Sequence, residues 1–178
     1  MFYLFLADGF EEIEALATLD ILRRGGVDIK TVGVTGKFVT GAHDIKVEAD
    51  INIEELDIDS TEGVILPGGI PGTPNLEKDG TVQKAIDYAY SNDKYICAIC
   101  AAPSILGHKG ILKGRNATCF TGFEKELEGA LLSDKKAVAD GKIITAVGAG
   151  ASFDFGFAIL AAIKGADAAE KLKSAMKA

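Results

Sequence analysis

Two thiols stand three residues apart in YICAICAAPSIL, residues 95–106, and small residues and a proline follow the second at once. A Cys-x-x-Cys spacing raises redox or metal chemistry. A thioredoxin-type pair needs both sulfurs in or beside the first helical turn. Here Cys97 lies inside an extended segment, and three strand residues span roughly 10 Å. Zinc needs a further ligand pair, and Cys119 with His43 or His108 matches no usual metal spacing. The two cysteines therefore separate. Cys97 reads as strand filling, and Cys100 as a thiol delivered where a strand gives way to a helix. That junction has the logic of a nucleophile elbow, with the side chain exposed above the sheet and the next N–H free to serve an oxyanion hole. Ala101 and Ala102 permit the tight turn, and Pro103 suits a first helical turn. The helix N-terminus is expected to lower the thiol pKa and favour thiolate.

Glu14 is the second group with chemical potential. In GFEEIEALATLDI, Ala17 and Ile21 follow it at i+3 and i+7 on the same helical face. A carboxyl beside an apolar stripe near a strand end is expected to be partly desolvated, which raises its pKa and suits it to proton exchange. Glu11 and Glu12 lie off the stripe and read as a solvated first turn favourable to the helix dipole. The third piece is LPGG, residues 66–69, where two glycines let the backbone approach a ligand. The Gly69 and Ala101 N–H groups would then face an oxyanion or carbonyl oxygen. On its own the glycine pair is equally an ordinary tight turn, and no phosphate-cradling P-loop is present.

These groups need a scaffold that brings strand ends together, and the chain reads as one. Apolar runs at 2–7, 27–34, 62–66, 94–100 and 142–148 alternate with helical segments at 11–26, 80–92, 102–110, 151–165 and 167–177. Residues 43–50 read as an alternating strand or edge hairpin, and 116–120 and 137–140 as further strands. Continuously apolar strands separated by helices imply parallel pairing with both faces covered, so a flavodoxin-like, doubly wound α/β sandwich is expected. Ligands of such folds bind beyond the carboxyl ends of the strands near a topological switch point. The residues around Glu14, Gly69 and Cys100 follow three such ends.

At 178 residues the chain suits a single domain spanning 1–178. Its net charge of −7, with no Lys/Arg cluster, argues against nucleic acid and anionic membranes as partners. No apolar run reaches transmembrane length. MFYLFLADGFEE has no basic leader or cleavage pattern, and three cysteines without an export signal point to reduced thiols in a cytoplasm.

Four stretches, FLADGFEEIEALATLDILRRGG, VILPGGIPGTPNL, YICAICAAPSILGHKGILKGRNATCF and GKIITAVGAGASFDFGFAIL, together resemble the ThiJ/PfpI superfamily and, within it, the DJ-one deglycase branch. The resemblance runs from about residue 4 to about 165. It implies a class I glutamine amidotransferase-like domain with Cys100 as the reactive, easily oxidised cysteine and Glu14 as its hydrogen-bonding partner. Gly69 and Ala101 would supply backbone N–H groups. It further implies a homodimer, with His43 in the position of a basic residue contributed across subunits and residues 148–153 at the interface. No cofactor is implied. The activity implied is glyoxalase or deglycase chemistry on small reactive carbonyls, the alternative being an oxidation sensor or chaperone-like protein whose Cys100 becomes a sulfinic acid. One position departs from the pattern: Phe120 stands where many relatives carry a histidine, so a Cys–His couple is not carried over and a protease is not expected. His108 reads as a dipole-favourable residue at a helix C-terminus.

Overall fold

The computed structural model describes all 178 residues. Strand β1 (Phe2–Leu6) runs into α1 (Glu12–Arg24), followed by β2 (Ile29–Gly33), the hairpin β3 (Phe38–Thr40) and β4 (Lys46–Glu48), and β5 (Ile51–Asn52). Next come β6 (Gly63–Leu66), α2 (Gly72–Lys78), α3 (Gly80–Ser91), β7 (Tyr95–Ile99) and α4 (Pro103–His108). The chain closes with β8 (Asn116–Ala117), β9 (Leu131–Leu132), β10 (Ala137–Asp140), β11 (Ile143–Ala146), α5 (Ser152–Lys164) and α6 (Ala166–Met176). Seven strands form one sheet in the order β10-β11-β7-β6-β1-β2-β5, parallel throughout except for the β10–β11 pair. This is the expected three-layer α/β architecture.

The pleat of each central strand divides the core in two. Tyr3 and Phe5 of β1, with Ile96 and Ala98 of β7, pack toward α3 and α4. Phe2, Leu4 and Leu6, with Cys97 and Ile99, pack toward α1 and α5. Alternation inside uniformly apolar strands thus feeds both layers, which is why these strands show no polar face in the sequence. Cys97 is fully buried on the α1/α5 side, and burial alone pushes its thiol far above the ordinary range.

Three features differ from the sequence reading. Residues 116–120 are not a sheet strand: only Asn116–Ala117 is extended, and it pairs with Leu131–Leu132 in a separate two-stranded ladder. The 43–50 segment does form a hairpin, but its first strand lies upstream, at Phe38–Thr40. Helix α2 was not foreseen, because GTPNLEK has no apolar period, and of its large side chains only Leu76 is fully buried.

Candidate active site

The site lies at the β1/β6 switch point. β1 hands the chain to β2 on one side, while β6 and β7 follow on the other. Residues after β1, β6 and β7 therefore converge above the sheet, as the topology rule requires. Cys100 follows β7 and takes φ +66°, a left-handed conformation that is uncommon for a side chain and costs on the order of 1–3 kcal/mol. The surroundings impose it: the Cys100 N–H donates to Ala146 O at 2.9 Å, and its carbonyl accepts the Phe120 N–H at 2.8 Å. The Ala102 N–H returns to Ile99 O at 3.1 Å, closing the turn, and Pro103 opens α4. The elbow read from YICAICAAPSIL is therefore present, with the thiol half-buried at its apex.

Glu14 sits in the first turn of α1, where the Glu11 carboxylate caps the helix by accepting the Glu14 N–H at 2.7 Å. Its side chain is only 1% exposed. Oε2 accepts the Gly68 N–H at 2.8 Å, while Oε1 is buried without a hydrogen-bond partner. Gly68 joins the two groups. A Cβ there would lie 2.7 Å from both Cys100 Cβ and Glu14 Oε2, so only glycine lets thiol and carboxyl share the space. Gly69 has φ +94°, and a side chain on it would collide with the Gly9 carbonyl and the Glu11 N–H. The Gly69 and Ala101 backbone N–H groups bear on the Cys100 thiol and work to lower its pKa. Cys100, Glu14, Gly69 and Ala101 are thus brought together, and Gly68 is the residue that the sequence reading missed. Its signal was present as the first glycine of the pair in PGG.

The electrostatics correct one expectation. Burial pushes the Glu14 pKa up to about 7, against the opposing influence of the Cys100 and Gly68 hydrogen bonds. The Cys100 thiol is not depressed as the helix N-terminus suggested. Burial, then the Glu14 charge and hydrogen bond, push it up to about 12, and the Ala101 and Gly69 N–H groups only partly compensate. Two acidic groups side by side resist holding two negative charges.

Glu12 is the second correction. It is buried rather than solvated, because residues 41–45 fold over it. Its Oε1 accepts the His43 N–H and its Oε2 pairs with His43 Nδ1, both at 2.7 Å. Burial works to raise the Glu12 pKa, but the His43 ring and backbone bonds outweigh it and leave the carboxyl below its usual value. The same contact raises His43, whose side chain is 69% exposed and rests on Glu12 rather than on Cys100 of its own chain. Glu11, Glu12 and His43 offer donor atoms within 4.8 Å of one another, a spacing that could hold a metal. Both Glu12 oxygens are already engaged by His43, however, and Glu11 caps α1. His108, at the end of α4, is held between Glu77 at 2.5 Å and Glu126 at 2.8 Å, a tie between α2, α4 and the 124–126 turn rather than a simple dipole contact.

The DJ-1/PfpI family model matches residues 2–162. The chain belongs to this family. It is 31% identical over 92% of its length to "Protein DJ-1 homolog B" of Arabidopsis thaliana, of which it spans only 38%. It is 30% identical to "Glutathione-independent glyoxalase DJR-1.2" of Caenorhabditis elegans, covering 94% of this chain and 88% of the relative. In fold, a crystal structure of a DJ-1 superfamily protein from Salmonella typhimurium superposes with a TM-score of 0.92 at 33% identity, covering 99% and 97% of the two chains. The DJ-1 relatives bear out the branch suggested by the AICAAPSIL, PGG and EEIE stretches. No helix of this DJ-1/PfpI protein is long and apolar enough to cross a membrane.

Proposed function

We propose that this protein converts small α-oxoaldehydes to hydroxy acids without a cofactor, with Cys100 as nucleophile and Glu14 as the proton carrier. The observation that carries the reading is the buried, unpartnered Glu14 Oε1 of a carboxyl that shares the space over Gly68 with the elbow cysteine. The thiol sulfur bonds to the aldehyde carbon, and the thiol proton passes through Glu14 to the aldehyde oxygen, giving a hemithioacetal. In this reading the Gly69 and Ala101 N–H groups would donate to the developing oxyanion. Glu14, poised near neutrality, takes the proton from the former aldehyde carbon and returns it to the neighbouring carbonyl carbon, while the hydroxyl proton on the first oxygen passes to the second. Water then cleaves the resulting thioester, freeing the acid and the thiol. A relative bearing the name of a glutathione-independent glyoxalase supports the same reaction class. Loss of methylglyoxal with wild type, Cys100→Ser and Glu14→Gln tests it. A wild type no faster than Cys100→Ser ends the proposal.

A second reading rests on the same donors. A Cys100 oxidised to a sulfinic acid would accept hydrogen bonds from Gly69, Ala101 and protonated Glu14, and Glu14 keeps its proton in part at neutral pH. Mass spectrometry after mild peroxide decides it, since a Cys100 that stays reduced excludes a sensor. A homodimer belongs to either reading. In such a dimer the exposed His43, held by Glu12, would be the residue that approaches the Cys100 of a second copy. Sedimentation of the wild type and turnover by His43→Ala test that arrangement.

A further inference from the structure

Phe120 is an aromatic ring 49% exposed beside the nucleophile, and nothing in the reaction above uses it. Its backbone is held firmly, with the N–H on Cys100 O at 2.8 Å and the carbonyl accepting the Phe123 N–H at 3.0 Å. Two residues earlier, the Thr118 N–H donates to Thr145 Oγ1 at 2.9 Å, pinning the segment to β11. The ring faces the site. A Cβ on Gly148 would stand 3.0 Å from Phe120 Cδ2 and 3.7 Å from Cys100 Sγ, so ring and sulfur bound the same small space above Gly148. Phe120 and Gly148 also line a cleft of about 400 Å3, together with Thr121, Lys136, Val147 and Ala149. That volume lies within the range of small-molecule sites, and half of the lining residues are hydrophobic.

We propose that this cleft holds the apolar arm of an aryl-substituted α-oxoaldehyde, and that Phe120 makes the protein favour aryl over methyl substrates. The inference rests on the reading of Cys100 as a carbonyl nucleophile. With the aldehyde carbon bonded to sulfur, the adjacent ketone carbon carries its substituent into the space over Gly148. A methyl group there leaves the Phe120 ring in water. An aryl group stacks on it and buries both faces, a gain made at the reacting carbon's immediate neighbour. The chemistry is unchanged and balanced: the thiol adds to the aldehyde, Glu14 moves one proton from the first carbon to the second, the hydroxyl proton passes from the first oxygen to the second to leave a 2-hydroxy thioester, and water releases an aryl hydroxyacetic acid and the thiol.

The test compares kcat/KM for phenylglyoxal and methylglyoxal, with mandelate and lactate measured as products, in wild type, Phe120→Ala and Phe120→Tyr. The phenyl-to-methyl ratio is expected to fall roughly fivefold or more in Phe120→Ala and to stay within about twofold of wild type in Phe120→Tyr, which keeps the ring. An equal ratio in wild type and Phe120→Ala overturns the subsite, even with methylglyoxal turned over normally. So does a wild type that handles phenylglyoxal worse than methylglyoxal, the result expected if a second copy of the chain covers the cleft. If wild type consumes neither aldehyde faster than Cys100→Ser, the carbonyl reading itself falls and the aryl subsite with it.

Discussion

Replacing Glu14 with glutamine is expected to abolish turnover and yet make the fold more stable, by an amount that grows with pH. In the unfolded chain the carboxyl titrates near 4.5, and in the fold burial holds its pKa at about 7. The folded state therefore grips the proton more tightly. As pH rises from 4.5 the unfolded chain releases it first, so stability falls across the window between the two values and levels off above about 7. At 1.36 kcal/mol per pH unit, the ionised carboxylate costs the fold roughly 3 kcal/mol at pH 8 and about 1 kcal/mol at pH 5.5. Glutamine keeps the shape, accepts the Gly68 N–H through its amide oxygen and never ionises. Urea unfolding of both proteins at equal concentration, at pH 5.5 and 8, should show the variant ahead by those amounts. A variant less stable than wild type at pH 8, or an advantage that does not widen with pH, would refute the view that Glu14 is buried as a strained acid.

In the same Glu14→Gln variant the Cys100 thiol loses the neighbouring charge that helps to raise it, so iodoacetamide should alkylate it faster than wild type at pH 8.5. Gly68→Ala should cost about 1–3 kcal/mol in denaturant and remove turnover, because the added methyl falls 2.7 Å from Cys100 Cβ and Glu14 Oε2. His108 is raised by the Glu77 and then the Glu126 hydrogen bonds, so its contribution is full below pH about 6.5 and is lost as pH climbs through the folded value. The stability gap between wild type and His108→Gln should accordingly close on going from pH 6 to pH 9. A gap that widened with pH would contradict the carboxylate clamp.

Much of this was legible because the informative patterns are local. Parallel strands covered on both faces must be apolar along their length, so FYLFL, GVIL and YICAI announce themselves. Cys100 followed from a boundary that lies within a few residues of sequence, and Glu14 from its place on a helical face with Ile21, which is fully buried. The misses are non-local. Glu12 looked solvated because what buries it is a loop some thirty residues onward, closing with a bond from the His43 N–H. Residues 116–120 carry strand-like composition, but the chain leaves the ladder after Ala117 and places the Phe120 N–H on the Cys100 carbonyl instead. Helix α2 owes its position to Gly72 packing against the Gly9 loop and has no amphipathic stripe to show in sequence.

The thiol's proton affinity is also non-local, and here the local rule gave the wrong sign. A cysteine at a helix N-terminus is expected to ionise easily, but α4 is six residues long and begins three residues after Cys100. Against that weak dipole stand the burial of the thiol and then a buried carboxyl from another segment, and together they win. The consequence concerns mechanism as much as titration. A thiol held near 12 beside an acid held near 7 is a poor free nucleophile, so in the proposed reaction the carboxylate beside it would be the nearest acceptor for its proton. In the proposed reaction, proton transfer to Glu14 would be coupled to attack by sulfur, and the acid formed would protonate the new oxyanion. The positive φ of Cys100 and the burial of Glu14 both cost folding energy, and under the proposed reaction that cost places thiol and carboxyl in the one space that Gly68 leaves open to both.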